Sequence, residues 1–208
     1  MLEGITWLGH DAFKMEADGL TLYIDPFRLV SQHEKADIIL ITHEHYDHCS
    51  PEDVERVQAD GTQIVCTSDC KGKLSGKVRS IGPGESVEVG GIQIEAVRAY
   101  NVGKKFHPKE NNWIGYIFTI GGKRIYHAGD TDLIPEMSDI YCDIALLPVS
   151  GTYVMTWQEA VQAAMTINPK VAVPMHYGSP VVGTLKDAKE FKNALIGKVQ
   201  VEILEEFR

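Results

Sequence analysis

Four side chains able to bind a metal ion, His43, His45, Asp47 and His48, fall within six residues in the run Thr42-His43-Glu44-His45-Tyr46-Asp47-His48. In an extended segment alternate side chains point to one side, so His43 and His45 can converge on one cation. Where the chain turns toward a helix, Asp47 and His48 swing round to a second position about 3.5–4 Å from the first, the separation of two-metal hydrolytic sites. Imidazole and carboxylate donors suit zinc, manganese or iron, held as one or two divalent ions per chain. The chemistry this implies is hydrolysis by a water whose pKa the metal lowers toward neutrality. A surface histidine cluster without metal is the plainer alternative, but four such residues rarely end an apolar strand by chance.

Two later segments have the same form. Tyr126-His127-Ala128-Gly129-Asp130-Thr131-Asp132 follows a strand, and its Ala-Gly pair lets the backbone approach closely before Asp130. Val173-Pro174-Met175-His176-Tyr177-Gly178 puts His176 at another strand end. Each alone reads as readily as a turn or a structural histidine; in this order after the first motif they read as parts of one site.

The elements that must position these groups follow from pattern. Ile5 to Leu8, Ala12 to Met15 and Leu20 to Ile24 are strand-like, with Ala17-Asp18-Gly19 as a turn, and this meander ends at Asp25-Pro26. The apolar run Ala36 to Ile41 predicts a strand buried on both faces, leading directly into His43. Ser50-Pro51-Glu52-Asp53 has the form of a helix start, with a Ser cap and Pro at the first helical position. Thr62 to Thr67 is a strand, and residues 78–119 read as mostly β with a long polar interruption from Asn101 to Asn112. Gly121-Gly122 suits a hairpin. The last third alternates: strands at Asp143 to Val149, Val171 to Met175 and Val199 to Leu204, with capped helices opening at Thr156 and Thr184. Hairpins first and β/α alternation later predict an α/β layered arrangement, as a single domain over residues 1–208 with no recognisable internal repeat.

Composition narrows the function classes. Twenty-nine acidic against 20 basic residues give a net charge of −9, which disfavours a sequence-independent nucleic-acid binder. No apolar run approaches the roughly 18 residues of a membrane span. Met1-Leu2-Glu3-Gly4 carries no basic segment before an apolar stretch, so a cytoplasmic protein with a small-molecule substrate is expected. Cys49, Cys66, Cys70 and Cys142 are too scattered for a disulfide framework and read as free thiols.

Taken together, His-x-His-x-Asp-His, then Gly-Asp, then a late Met-His resembles the metallo-β-lactamase superfamily. The phrases Gly9-His10-Asp11-Ala12-Phe13, Ile24-Asp25-Pro26-Phe27, Tyr126 to Thr131 and Pro174 to Tyr177 are similar to the branch of small metal-dependent hydrolases related to ascorbate-6-phosphate lactonase. The resemblance implies a four-layer αβ/βα sandwich with a dinuclear site at one sheet edge. It implies His43 and His45 on the first metal, Asp47 and His48 on the second, Asp130 bridging and His176 completing the second site. It further implies a hydroxide nucleophile between the metals, with Asp47 orienting it or taking up its proton, and Asp25 accepting a hydrogen bond from a ligand imidazole. His10 either lines the pocket or belongs only to a hairpin turn.

The chain departs from the family pattern at one point. Where a third histidine normally reaches the first metal, the stretch Val97-Arg98-Ala99-Tyr100-Asn101 offers Asn101. A weakened first site is the favoured expectation; a harder cation bound through Asn101, or His107 folding back as the missing ligand, are the others. The same loop carries Lys104, Lys105 and Lys109, readable as an anion clamp or as a solvated loop, and Trp113 reads as core. Thr152 to Met155 reads as packing more than as a pocket rim. Hydrolysis of an ester-type bond (lactone, thioester or phosphodiester) in a small, anionic substrate is the leading expectation. A phosphodiesterase or nuclease, and a catalytically weak metal-containing binding or sensing protein, are the competing ones.

Overall fold

Each half of the chain builds one sheet, and in both halves antiparallel hairpins come first and parallel crossover strands second. The computed structural model describes residues 1–30, 32–178 and 182–207. The first sheet runs in spatial order β1 (Ile5–Gly9), β2 (Ala12–Ala17), β3 (Leu20–Ile24), β4 (Ile38–Leu40), β5 (Gln63–Cys66) and β6 (Lys77–Ser80), antiparallel as far as β3 and parallel beyond it. The second comprises β7 (Ser86–Val89), β8 (Ile92–Arg98), β9 (Ile114–Ile120), β10 (Lys123–His127), β11 (Ile144–Pro148), β12 (Val171–Met175) and β13 (Gln200–Val201). It is antiparallel from β7 to β10 and parallel from β10 to β13. The repeated architecture has no visible counterpart in the sequence.

Alternation along the strands sorts side chains into layers. Leu22, Ile24, Ile38, Leu40 and Val65 face the second sheet and join one core with Tyr116, Phe118 and Ile125. Their neighbours Tyr23, Ile39, Ile41, Ile64 and Cys66 face the other way and pack with Val54 and Val57 of α1 (Pro51–Val57). On the far side of the second sheet lie α2 (Trp157–Ile167) and α3 (Leu185–Ala194), burying Ala160, Ala164, Ile167, Ala188 and Phe191. The result is the expected helix–sheet–sheet–helix sandwich. Complete burial of each large apolar side chain stabilises it by roughly 1.5–3 kcal/mol relative to exposure.

The helix starts follow their caps: Ser50 accepts from the Asp53 amide, and Thr156 and Glu159 form a reciprocal capping box, as do Thr184 and Asp187. Strand ends are where expectation and structure part. Ala36 to Ile41 is a ladder strand only over Ile38–Leu40, with the flanking Asp37 and Ile41 amides still donating to Thr21 of β3 and Val65 of β5. Val199 to Leu204 shrinks to Gln200–Val201, an edge strand matched to two residues of β12. Among the described residues no helix is long and apolar enough to cross a membrane.

Candidate metal centre

The C-terminal ends of β3, β4, β10, β11 and β12 and the tip of the β1–β2 hairpin meet at one edge of the sandwich. In open α/β sheets the carboxyl ends of parallel strands are where ligands bind, since loops leave the core there. Asp25 follows β3, His43 to His48 follow β4, Asp130 follows β10, Ser150 follows β11 and His176 follows β12. Close approach at this edge depends on glycine: a Cβ on Gly129, at φ +63°, would lie 2.9 Å from the Ile114 carbonyl oxygen. Substitution there would push the Asp130 loop away from β9. Three site residues other than glycine, His10, Asp25 and His176, also hold positive φ (51°, 44° and 59°), a conformation that persists only where surrounding bonds enforce it.

Asp25 has such bonds. Its Oδ1 accepts from the Thr42 amide at 2.8 Å; its Oδ2 accepts from Thr42 Oγ1 at 2.6 Å and faces His48 Nδ1 at 2.8 Å. Thr42 Oγ1, having donated to Asp25, is an acceptor for His43 Nδ1 at 3.0 Å. One buried carboxylate thus sets both ring orientations and leaves each Nε2 directed away from Asp25, the tautomer a metal ligand needs. His176 Nδ1 is held by Ser150 Oγ at 2.7 Å, again freeing Nε2.

The freed atoms converge. Ligand atoms of His43, His45 and His107 lie within 4.8 Å of one another, as do those of His43, His48 and Asp130, and those of His10, Asp11, His48 and His176. Asp130 stands between them, with Oδ2 3.1 Å from His107 Nε2 and 3.4 Å from His176 Nε2, and Oδ1 3.4 Å from His48 Nε2. These approaches lack hydrogen-bond alignment: Nε2 of His48, His107 and His176, Oδ1 of Asp130, Nδ1 of His10 and both Asp11 oxygens are buried without a hydrogen-bond partner. Buried polar atoms are almost always partnered, so a cluster of orphans facing one space fits a divalent cation. The donors are imidazole and carboxylate with no thiolate, a set that suits zinc, manganese or iron.

The electrostatics divide along the same lines. Burial, reinforced by the charge on His48, pushes the His43 imidazole well below its usual range, and burial with His107 lowers that of His45. Burial opposes the charge of His48 as well, but Asp130 and Asp25 outweigh it and raise its pKa well above the ordinary value. Asp130 is correspondingly held well below the carboxylate range by His48 and His176, against the effect of its burial. Asp47, although buried, is drawn down to about 2 by its hydrogen bond from His10 and by the charge of His48.

The structure therefore brings together His43, His45, His48, Asp130 and His176 and adds His107. Asn101 does not join them: its Nδ2 donates to the Tyr153 carbonyl at 2.8 Å and its Oδ1 accepts from the His107 amide at 3.0 Å. With the Asn101 amide donating back to the His107 carbonyl at 2.7 Å, the pair closes a loop that carries His107 to the position the weakened-site expectation left short. Asp47 stands outside the convergent groups, its Oδ2 3.1 Å from His10 Nε2, while His10 is buried and lines the site. The basic loop is not an open clamp. Lys104 is tied to Asp132 at 2.6 Å and Lys109 to Glu136 at 3.0 Å, leaving Lys105 exposed without a carboxylate partner among the described residues. Trp113 is core, and its ring lies 4.7 Å from those of both His43 and His45. Val154 and Met155 are fully buried, as packing requires.

Two residues escape the sequence reading. Asp11 looks like a turn residue after His10, and nothing in its spacing marks it. His127 lies inside a strand pattern, yet its Nε2 donates to the Asp11 carbonyl at 2.9 Å and its Nδ1 accepts from the Gly129 amide at 3.2 Å. That buried, neutral imidazole pins the hairpin tip to the Asp130 loop; burial holds its pKa down.

A model of the beta-lactamase superfamily domain matches residues 4–176, and the chain belongs to that superfamily, whose metal-binding branch it joins. More narrowly, it is 34% identical over 97% of its length, and 96% of the relative's, to a UPF0173 metal-dependent hydrolase of Methanopyrus kandleri. The structure of a Parabacteroides distasonis protein superposes with a TM-score of 0.85 at 37% identity, covering 98% of this chain and 93% of that one. Igni18, a metallo hydrolase of Ignicoccus hospitalis, gives 0.78 at 29% identity over 98% and 95% of the two chains.

Proposed function

We propose that this chain is a metal-dependent hydrolase acting on an ester-type bond (a lactone, thioester or phosphodiester) of a small molecule. One observation carries the reading: six buried imidazoles and carboxylates from both sheets direct partnerless atoms into a shared space. His43, His45 and His107 would hold one divalent ion and His48, Asp130 and His176 a second, with Asp130 touching both groups. Bound there, such ions supply a polarised electrophile and a water acidic enough to attack at neutral pH.

The protein's own groups do the remainder. Asp25 and Thr42 orient His48 and His43, and Ser150 orients His176. Asp47, ionised and held through Oδ2 by His10 Nε2, is the carboxylate placed to orient the attacking water or accept its proton. Phe27 packs against His10 at 6.0 Å and Tyr46 at 5.9 Å, and Phe106 against Tyr153 at 4.6 Å, so apolar rims adjoin both ends of the histidine cluster. With Lys104 and Lys109 neutralised, an anionic substrate would be drawn by the cations and Lys105 rather than by a basic loop.

The binding-protein reading drew on Asn101 in place of an imidazole, and the nearness of His107 to His43 and His45 supports the hydrolase reading instead. The decisive experiment measures metal content together with turnover of lactone, thioester, simple ester and bis-aryl phosphodiester probes. Stoichiometric transition metal, with turnover lost in chelator and restored by metal, is expected. A metal-saturated protein inert to every probe would shift the assignment to a binding or sensing role; protein that binds no transition metal would end it.

A further inference from the structure

Asp11 sits at the tip of the β1–β2 hairpin, where an aspartate ordinarily faces water or accepts a backbone amide. It does neither: it is 0% exposed and neither carboxyl oxygen accepts a hydrogen bond. A buried carboxylate without a partner is among the costliest features a fold can carry, and it persists where a cation is close. No lysine or arginine contacts it among the described residues. Its neighbours are the imidazoles of His10, His48 and His176, whose ligand atoms lie with its own inside 4.8 Å, and the carboxylate of Asp130. Two carboxylates facing each other in a buried site repel unless a proton or a metal ion lies between them.

The hairpin tip is held in place by other groups. The His10 carbonyl accepts from Trp7 Nε1 at 2.9 Å and from the His176 amide at 3.1 Å. The Asp11 carbonyl accepts from His127 Nε2, and His10 Nε2 is engaged by Asp47. The Asp11 carboxyl contributes nothing to this anchoring.

We propose that Asp11 is a carboxylate ligand of the second metal position, shared with His48, Asp130 and His176. The inference rests on the reading of this edge as a metal centre. It makes the two positions chemically unlike: three imidazoles at the first, two carboxylates and two imidazoles at the second. Harder ions such as manganese and iron(II) favour the second set, and zinc favours the first.

Asp11→Asn and Asp11→Ser test it. The proteins are stripped with chelator, refilled with manganese or zinc, and assayed for ion stoichiometry by elemental analysis, for affinity by calorimetry and for thermal midpoint with and without metal. Wild type is expected to take two ions. Both variants are expected to keep the first and to bind the second roughly tenfold to a hundredfold more weakly, with manganese affected more than zinc. In chelator the variants should stay folded, and they should gain less thermal stability than wild type on adding metal. An Asn variant with unchanged second-ion affinity overturns the proposal and makes Asp11 a protonated partner of Asp130. Wild type taking no ion, or one, defeats the two-metal reading itself, a result distinct from two ions in wild type and variant alike.

Discussion

The two groups of donors occupy one sheet edge but are built differently. His48, in the turn before α1, and His176, just after β12, are fully buried and are each fixed through Nδ1 by a buried or half-buried partner, Asp25 or Ser150. By contrast His45 is half-buried, and His107 is carried by a fifteen-residue excursion between β8 and β9 and steadied by Asn101. The imidazole pKa values follow the same division, lowered at His43 and His45 and raised at His48 beside Asp130. The contrast teaches that one sheet edge can combine tightly braced donors with donors carried on a longer loop, with Asp130 between them.

Asp130→Asn should collapse the contrast, because its oxygens face His48, His107 and His176 together. Affinity for both ions is expected to fall by more than roughly a hundredfold, read by calorimetry; loss at one position alone would show that Asp130 does not bridge. Asn101→His should sharpen it. Replacing the amide breaks the bonds to Tyr153 and to the His107 backbone, so the first ion should weaken by roughly tenfold to a hundredfold while the second is unchanged. A gain in metal content would return the third-ligand role to position 101.

Acid should expose the same difference in chelator-treated protein. His10 (lowered to about 4 by burial), His43, His45 and His127 stay neutral in the fold and protonate on unfolding below their ordinary value of 6.5. The unfolded chain then binds more protons, so these groups cost stability as pH falls. Asp11, with its carboxyl raised by burial and Asp130, pulls one proton the other way, and His48, already protonated in the fold, adds a smaller opposing slope just below 6.5. The net expectation is a loss of stability between pH 6.5 and 5 in urea titrations, because the four imidazoles outnumber the opposing groups. A flat profile would mean that these imidazoles are not held neutral.

What the sequence made legible was the part fixed by local spacing. His43, His45 and His48 are bound to a strand and the turn after it, and the helix caps act within four residues, so pattern alone locates them. His107 is one of three open possibilities for the third ligand, because an aperiodic loop carries no register from which its path can be read; the Asn101 pairing is what sets its ring beside His43 and His45. Asp11 was invisible because its role depends on β12 and the Asp130 loop arriving beside a hairpin more than a hundred residues earlier. The short β13 reflects a partner strand that offers two positions rather than any weakness in its own apolar pattern.

The donor atoms come from both sheets: His10, Asp11, His43, His45 and His48 from the first, His107, Asp130 and His176 from the second. An ion gripped there would be a cross-link between the halves at the rim opposite the β2–β3 and β9–β10 turns. Its removal would be felt in amide exchange at the mouths of β4, β10 and β12 together, while protection in the middle of the sandwich stays as it was.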